Sequence, residues 1–376
     1  VKVRHRIHGL LVASPVEIPV ELRGSVIRRI KVLAGLDISE PRKPQDGKFT
    51  IRSGERKVEL RVSTFPSLHG EKAVLRILNS EPRFGLDTLG LAPRPLECWK
   101  RLLKGDGLLL VTGPTGSGKT STLYASLRYL KDPAVNIVTL EDPIEYEIAG
   151  ITQSQINVKA GFTFKKGLRS LLRQDPDVIM VGEIRDGETA ELAVQAALTG
   201  HLVLATLHTR DAVGAVTRLV DLGIPRYLVA QTLRCALAQR LLRTPCACRL
   251  ESQPRRGCES CAGTGYRGRL GVFEQLTVTG TLQDLVASGA SREDLLAAAR
   301  LGNFRTLEEN GLSLVESGVT DLEELTRVLP GLAFAGSAAG AEPGRNGGPV
   351  APPGGGVAAA PARVAALAEV AKLGMS

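Results

Sequence analysis

The sequence predicts an α/β protein whose main domain is a largely parallel sheet with helices on both faces. Short, predominantly apolar strand patterns recur at Leu108–Val111, Asn136–Leu140, Val178–Val181 and Leu202–Thr206, with helical patterns between them. The first ends in a glycine-rich loop that opens a helix, and acidic or histidine-bearing segments follow the others. A strand that is apolar at every position has no solvent face, so it must be covered above and below.

The elements before that sheet read as a small separate α/β domain over residues 1–82. Val1–Ile7 and Val58–Val62 alternate with period two, as does part of Val74–Leu78. Val20–Ala34 places Val26, Ile27, Ile30 and Leu33 at helical spacing, and Asp46-Gly47 and Ser53-Gly54 read as turns. Residues 83–95, bounded by prolines, read as a linker to a core over 96–243. A cysteine-rich segment follows over 244–270, then a helical segment over 271–332 with breaks at Gly302 and Gly311. Residues 333–376 are rich in Gly, Ala and Pro and predict a disordered tail, with one short marginal helix over Pro361–Leu373. The chain starts at Val1, inside a strand pattern, and reads as a fragment lacking an upstream part.

Composition narrows the function. The 376 residues are 43% hydrophobic and 23% charged, ordinary for a globular protein, and no apolar run approaches the ~18–20 residues that span a bilayer. The net charge of +9 admits acidic partners. Its arginines are scattered rather than clustered, and only 4% of residues are aromatic, which argues against a nucleic-acid motor.

The strongest local signal is Gly113-Pro114-Thr115-Gly116-Ser117-Gly118-Lys119-Thr120, which fits the phosphate-binding pattern G-x4-G-K-[ST] between a buried strand and a helix. Its glycines let backbone N–H groups face phosphates, aided by the partial positive charge of the helix start. Lys119 would reach the β- and γ-phosphates of a nucleotide, and Thr120 would offer its hydroxyl to Mg²⁺, with Ser121 next on the helix. Three carboxylates, Glu141, Asp142 and Glu145, lie just past one strand, and Glu183 ends another. Carboxylates there can hold Mg²⁺ through water or orient an attacking water; taken singly, each could equally be a solvated turn acid. His208, at the ligand edge of Leu202–Thr206, could sense a γ-phosphate, whereas His201, at the opposite end, reads as a structural hydrogen-bonding histidine. A ring that uses nucleotide only as a switch, without hydrolysis, is disfavoured by the presence of Lys119, Glu145 and Glu183 together.

Six cysteines are present, and four of them, Cys246, Cys248, Cys258 and Cys261, crowd into sixteen positions. This is not the spread of a disulfide framework, and it implies a reducing compartment. Four thiolates match the ligand number of a structural Zn²⁺ site; Cys98 and Cys235 read as buried, inert thiols.

Over Val1 to about Leu329 these motifs together resemble the ATPases of type II secretion and type IV pilus systems. Glu141–Glu145 looks like that family's Asp box, Gly182–Asp186 its Walker B region, and Gly200–Thr209 its His box. The resemblance implies a RecA-like P-loop NTPase core that binds and hydrolyses ATP with Mg²⁺, and a PAS-like small domain. It implies that Glu145 is the catalytic glutamate and that Glu183 supports Mg²⁺ and the lytic water. Arg61 and Arg76, in segments resembling the family's arginine-bearing strands, are implied to act as arginine fingers. Arg169 and Arg173 are implied to lie near a neighbouring subunit's site. It further implies a homo-hexamer at the cytoplasmic face of the bacterial inner membrane, served by a platform protein and a membrane-associated recruiting protein, with no nucleic acid. Gln195–Gly200 and Thr206–Ala212 lean towards type II secretion, with pilus assembly the alternative; the cysteine segment argues against a retraction motor. The family's first cysteine pair usually has two intervening residues, whereas only Ala247 intervenes here, and the Cys248–Cys258 span is shorter than usual.

Overall fold

The computed structural model describes residues 2–53, 56–78, 85–250 and 257–330. The predicted tail, its short helix and the glycine of the Ser53-Gly54 turn lie outside these residues.

The small domain opens with an antiparallel pair, β1 (Arg4–Ile7) and β2 (Leu10–Ala13), and helix α1 (Arg23–Leu33), entered through one 3-10 turn at Val20–Leu22. Strands β3 (Gln45–Ser53), β4 (Arg56–Phe65) and β5 (Lys72–Leu78) form an antiparallel sheet in that order. Alternation puts Leu60 and Val62 on the face that packs with Phe49, Ile51, Ile30 and Ala34. The turn expected at Asp46-Gly47 is instead strand, paired with Ser63 and Val62. Gly47 is required there by proximity: a Cβ would stand 2.4 Å from the Ala34 carbonyl oxygen.

From Gly85 the expected linker packs inward, burying Leu86 and Leu89, and helix α2 (Pro93–Leu102) starts within it with proline in its first turn. The main sheet then collects β6 (Gly107–Thr112), β7 (Ile137–Glu141), β8 (Thr152–Gln155), β9 (Val178–Val181), β10 (Leu202–Leu207), β11 (Leu233–Pro245) and β12 (Tyr266–Thr277). Its order is β12-β11-β6-β10-β9-β7-β8, parallel except for β12. Leu109 and Val111 of β6 face one core with Trp99 of α2 and Leu123 of helix α3 (Lys119–Leu130). Leu108 and Leu110 face the other, with α4 (Phe164–Leu171), α5 (Gly187–Leu198), α6 (Val213–Asp221) and α7 (Arg226–Thr232). The strand bearing the glycine loop thus lies between β10 and β11, the arrangement of a RecA-like ATPase core.

Sequence reading missed β8 and the β11–β12 hairpin. Gln239, Arg240 and Arg243 interrupt the apolar run of β11, yet all three are buried, which hides the strand from a hydropathy pattern. The hairpin carries the cysteine segment at its tip, with the short helix α8 (Ala247–Leu250) inside it. The segment expected to be helical over 271–332 begins instead as strand, the second half of β12 up to Thr277, and then folds as α9 (Gly280–Ser288), α10 (Arg292–Leu301), α11 (Leu307–Glu316) and α12 (Leu322–Val328). Gly302 follows the end of α10 as expected, but Gly311 lies inside α11, where the absent side chain admits Leu325 of α12 to within 2.3 Å of a hypothetical Cβ.

Gly47→Ala is expected to destabilise the small domain by about 1–3 kcal/mol, because the obstructing group is backbone. Gly24→Ala, on α1 with only the Arg28 guanidinium nearby at 3.5 Å, is expected to stabilise it by about 0.5–1 kcal/mol. Urea unfolding of the two variants beside the parent protein checks the opposite signs.

Candidate active site

The phosphate loop runs from the end of β6 to the first residue of α3. Gly113, Gly116 and Gly118 all take positive φ, at 147°, 81° and 94°. Pro114, Thr115 and Gly116 are exposed at the crest, and Thr120 and Ser121 are exposed on the first turn of α3. Ser117 is buried, and its hydroxyl has no hydrogen-bond partner. Such an unpartnered polar group costs free energy until something accepts from it, so the cradle is suited to an oxyanion. The Lys119 ammonium is bonded to the carbonyls of Gly113 (2.8 Å) and Pro114 (3.2 Å). Burial lowers its pKa, with the Glu183 charge opposing and the Arg240 charge adding to the effect.

Glu183, beyond β9, is held from two sides. His208 Nε2 lies 3.0 Å from one carboxylate oxygen and Arg185 Nε donates to the other at 2.8 Å; Arg185 also lies 3.8 Å from Asp142. Lys119, Glu183 and His208 therefore share the carboxyl edge of adjacent parallel strands, where ligands bind in open α/β sheets.

The three acids after β7 separate into different environments. Glu141 is buried, accepting from the Tyr124 hydroxyl of α3, from Thr139 Oγ1 (2.6 Å) and from Gln153 Nε2 (3.0 Å). It is neither a ligand-edge acid nor a solvated cap. Tyr124 in turn accepts from the Glu145 backbone N–H at 3.3 Å, and burial together with the Glu141 charge keeps its phenol protonated. This network ties the Glu145 backbone to the phosphate-loop helix. Nothing in the sequence around Tyr124 or Gln153 signals it, since the partners are far apart along the chain.

Arg61 of β4 reaches across from the small domain and donates to the Ile144 carbonyl at 2.7 Å, one residue before Glu145. Arg76 pairs with Arg61 in the β4–β5 register and is exposed. Arg169 and Arg173 are exposed around the end of α4. His201 lies at the far end of β10, where its Nδ1–H donates to the Ala196 carbonyl at 2.9 Å and closes the end of α5, as the structural reading expected.

The four cysteines converge at the hairpin tip. Their sulfurs lie within 4.8 Å of one another, and Cys246–Cys258 and Cys248–Cys261 are each 3.8 Å apart. A tetrahedron with ~2.3 Å bonds to zinc has edges of about 3.8 Å. The single residue between Cys246 and Cys248 suffices because the chain turns into α8 there. Burial opposes ionisation of Cys261, but N–H groups of Cys258 and Gly265 donate to its sulfur and bring its pKa down to about 7. The donor set fits a soft divalent metal.

A RecA-like sheet with this loop and acid arrangement defines a P-loop ATPase. The profile of the family described as "Type II/IV secretion system protein" matches residues 1–327, and the chain belongs to that family. It is 48% identical to the type II secretion system protein HxcR of Pseudomonas aeruginosa, over 87% of this chain and 71% of that protein. It is 46% identical to the type II secretion system ATPase E of Vibrio cholerae, over 87% and 69%. The type IV pilus assembly ATPase PilB of Thermus thermophilus is 43% identical over 86% of this chain and 39% of its own length. Among solved structures, the pilus retraction motor PilT with bound ADP superposes with a TM-score of 0.64 at 28% identity, over 86% of this chain and 89% of that one.

Tyr124→Phe is expected to lower stability by about 1–3 kcal/mol, because it strips a donor from a buried carboxylate. Thermal melts of the variant and the parent protein measure the loss.

Proposed function

We propose that this chain is the ATP-hydrolysing motor of a type II secretion machine, working as a homo-hexameric ring whose site combines the phosphate loop with arginines of the small domain. The observation that carries this reading is the Arg61–Ile144 bond, which brings the arginine-bearing strand to the loop of Glu145. ATP phosphates would displace the two carbonyls now bonded to Lys119 and meet the loop N–H groups and the Ser117 hydroxyl. Mg²⁺, when bound, would be held by Thr120 with support from Glu183, and would neutralise phosphate charge. Glu145 takes the proton of the attacking water or orients it, Glu183 is kept in place by His208 and Arg185, and Arg61 and Arg76 stabilise charge on the transferring group. Arg169 and Arg173 face a neighbouring subunit.

No helix among the described residues is long and apolar enough to cross a membrane. The motor acts at the cytoplasmic face of the inner membrane, through a platform protein and a membrane-associated recruiting protein, to assemble a pseudopilus. The Cys246–Cys248–Cys258–Cys261 cluster holds a structural Zn²⁺ that braces the hairpin tip. Pilus assembly is the second reading, supported by the 43% identity to PilB, below the 46–48% to the two type II proteins.

Glu145→Gln is expected to bind ATP and keep its oligomer size while turnover falls about a hundredfold, the scale of lost general-base action. Equal steady-state rates in rings of equal size would remove Glu145 from the catalytic role and make Glu183 the residue to test. Cys258→Ala is expected to abolish a zinc content of about one per chain, read by metal analysis of the purified protein.

A further inference from the structure

The segment immediately after His208 is gripped at both ends. At its start, the Thr209 N–H donates to Thr112 Oγ1 at 2.9 Å and the two threonine hydroxyls lie 2.6 Å apart, fastening it to the last residue of β6. The next three residues are each held by a different element from the C-terminal half. The Arg210 carbonyl accepts from Arg240 of β11 at 2.6 Å. The Asp211 carboxylate takes both terminal nitrogens of Arg292, at the start of α10, at 3.0 Å each. The Ala212 N–H donates to Glu274 of β12 at 2.7 Å. Glu274 uses its second oxygen to accept from the Leu307 N–H, the first of α11, at 3.0 Å.

Arg240 and Glu274 are both buried, and Arg240 Nη1 lies 3.1 Å from where a Gly113 side chain would begin. Arg240 also donates to the Gln239 carbonyl at 2.9 Å, the oxygen that lies 2.5 Å from where a Gly113 side chain would begin. One guanidinium thus spans the base of the phosphate loop and the segment that follows the Glu183-bound histidine. A buried charge bonded to two carbonyls is costly to disturb, so movement at either end is passed on rather than absorbed.

We propose that Arg240 and Glu274 are positioning residues that couple nucleotide occupancy at Lys119 and His208 to the C-terminal helices, with Thr209–Ala212 as the transmitting segment. The inference rests on the reading of this edge as the ATP site. It assigns a route by which that site moves the hairpin and α11 within one subunit.

Hydrogen–deuterium exchange on the full chain, with and without a non-hydrolysable ATP analogue and Mg²⁺, tests it alongside kcat and KM. In the parent protein the analogue is expected to slow exchange at residues 113–121, at 209–212 and at the start of α11. Arg240→Met should bind the analogue and protect 113–121, lose the response at α11, and lose about tenfold in kcat with KM little changed; Arg240→Lys should restore part of both. Glu274→Gln, which cannot accept from two N–H groups through both former oxygens, should uncouple α11 in the same way. It decides the matter if Arg240→Met does not fold. An α11 response that persists in the variants, or that the parent protein lacks while 113–121 is protected, overturns the coupling. Failure of the analogue to protect 113–121 in the parent protein would instead overturn the nucleotide site itself.

Discussion

The phosphate loop is moulded against one buried glutamine. Gln239 places its carbonyl 2.5 Å from where a Cβ on Gly113 would lie and its side-chain amide 2.7 Å from the same point on Gly118. Its Oε1 accepts from Thr122 of the helix that the loop opens, at 2.7 Å. The two end glycines are therefore required twice, by positive φ and by the neighbouring strand. Because β11 supplies Gln239, the loop keeps its shape only while that strand stays beside β6.

The same hairpin is anchored to the C-terminal helices by a second buried polar group. Arg243 donates to Glu324 of α12 through its side chain at 2.8 Å and its backbone at 2.9 Å. Arg327 completes the carboxylate's partners at 2.7 Å. These bonds hold Glu324 below the usual carboxylate range, against the desolvation that burial imposes. Arg243 and Arg249 both lie over the Tyr266 ring, at 3.9 and 4.4 Å. Cysteine segment, hairpin and last helices therefore pack as one body on the core, while the small domain meets the core at Arg61.

The motifs legible in the sequence are those whose chemistry is local. A turn that must expose N–H groups needs glycines at short spacing, and a lysine that must reach a phosphate sits at the first turn of the next helix. Four thiols at short spacing likewise declare a cluster, even though one pair is closer in sequence than usual. Four strands of the parallel sheet, β6, β7, β9 and β10, were legible because full burial demands largely apolar runs, whereas β8 and β11 carry polar residues and were not. Glu141 was not legible as structural, since its partners Tyr124, Thr139 and Gln153 meet it only when α3, β7 and β8 come together. Gly47 and Gly311 misled as punctuation because a glycine required by close packing has the same letter as one required by a turn.

By itself the sequence determined the fold class, the phosphate loop, the family and the inventory of acids, arginines and thiols, because each is written in periodicity or short spacing. Tertiary structure alone decided which acids face the ligand edge and which are buried. It also decided that Arg61 meets the Glu145 loop across 83 positions of chain, and that Arg240, Arg292 and Glu274 converge on three consecutive residues, Arg210, Asp211 and Ala212. Those outcomes depend on which strands become neighbours, and strand order is set by packing over the whole sheet rather than by any local pattern.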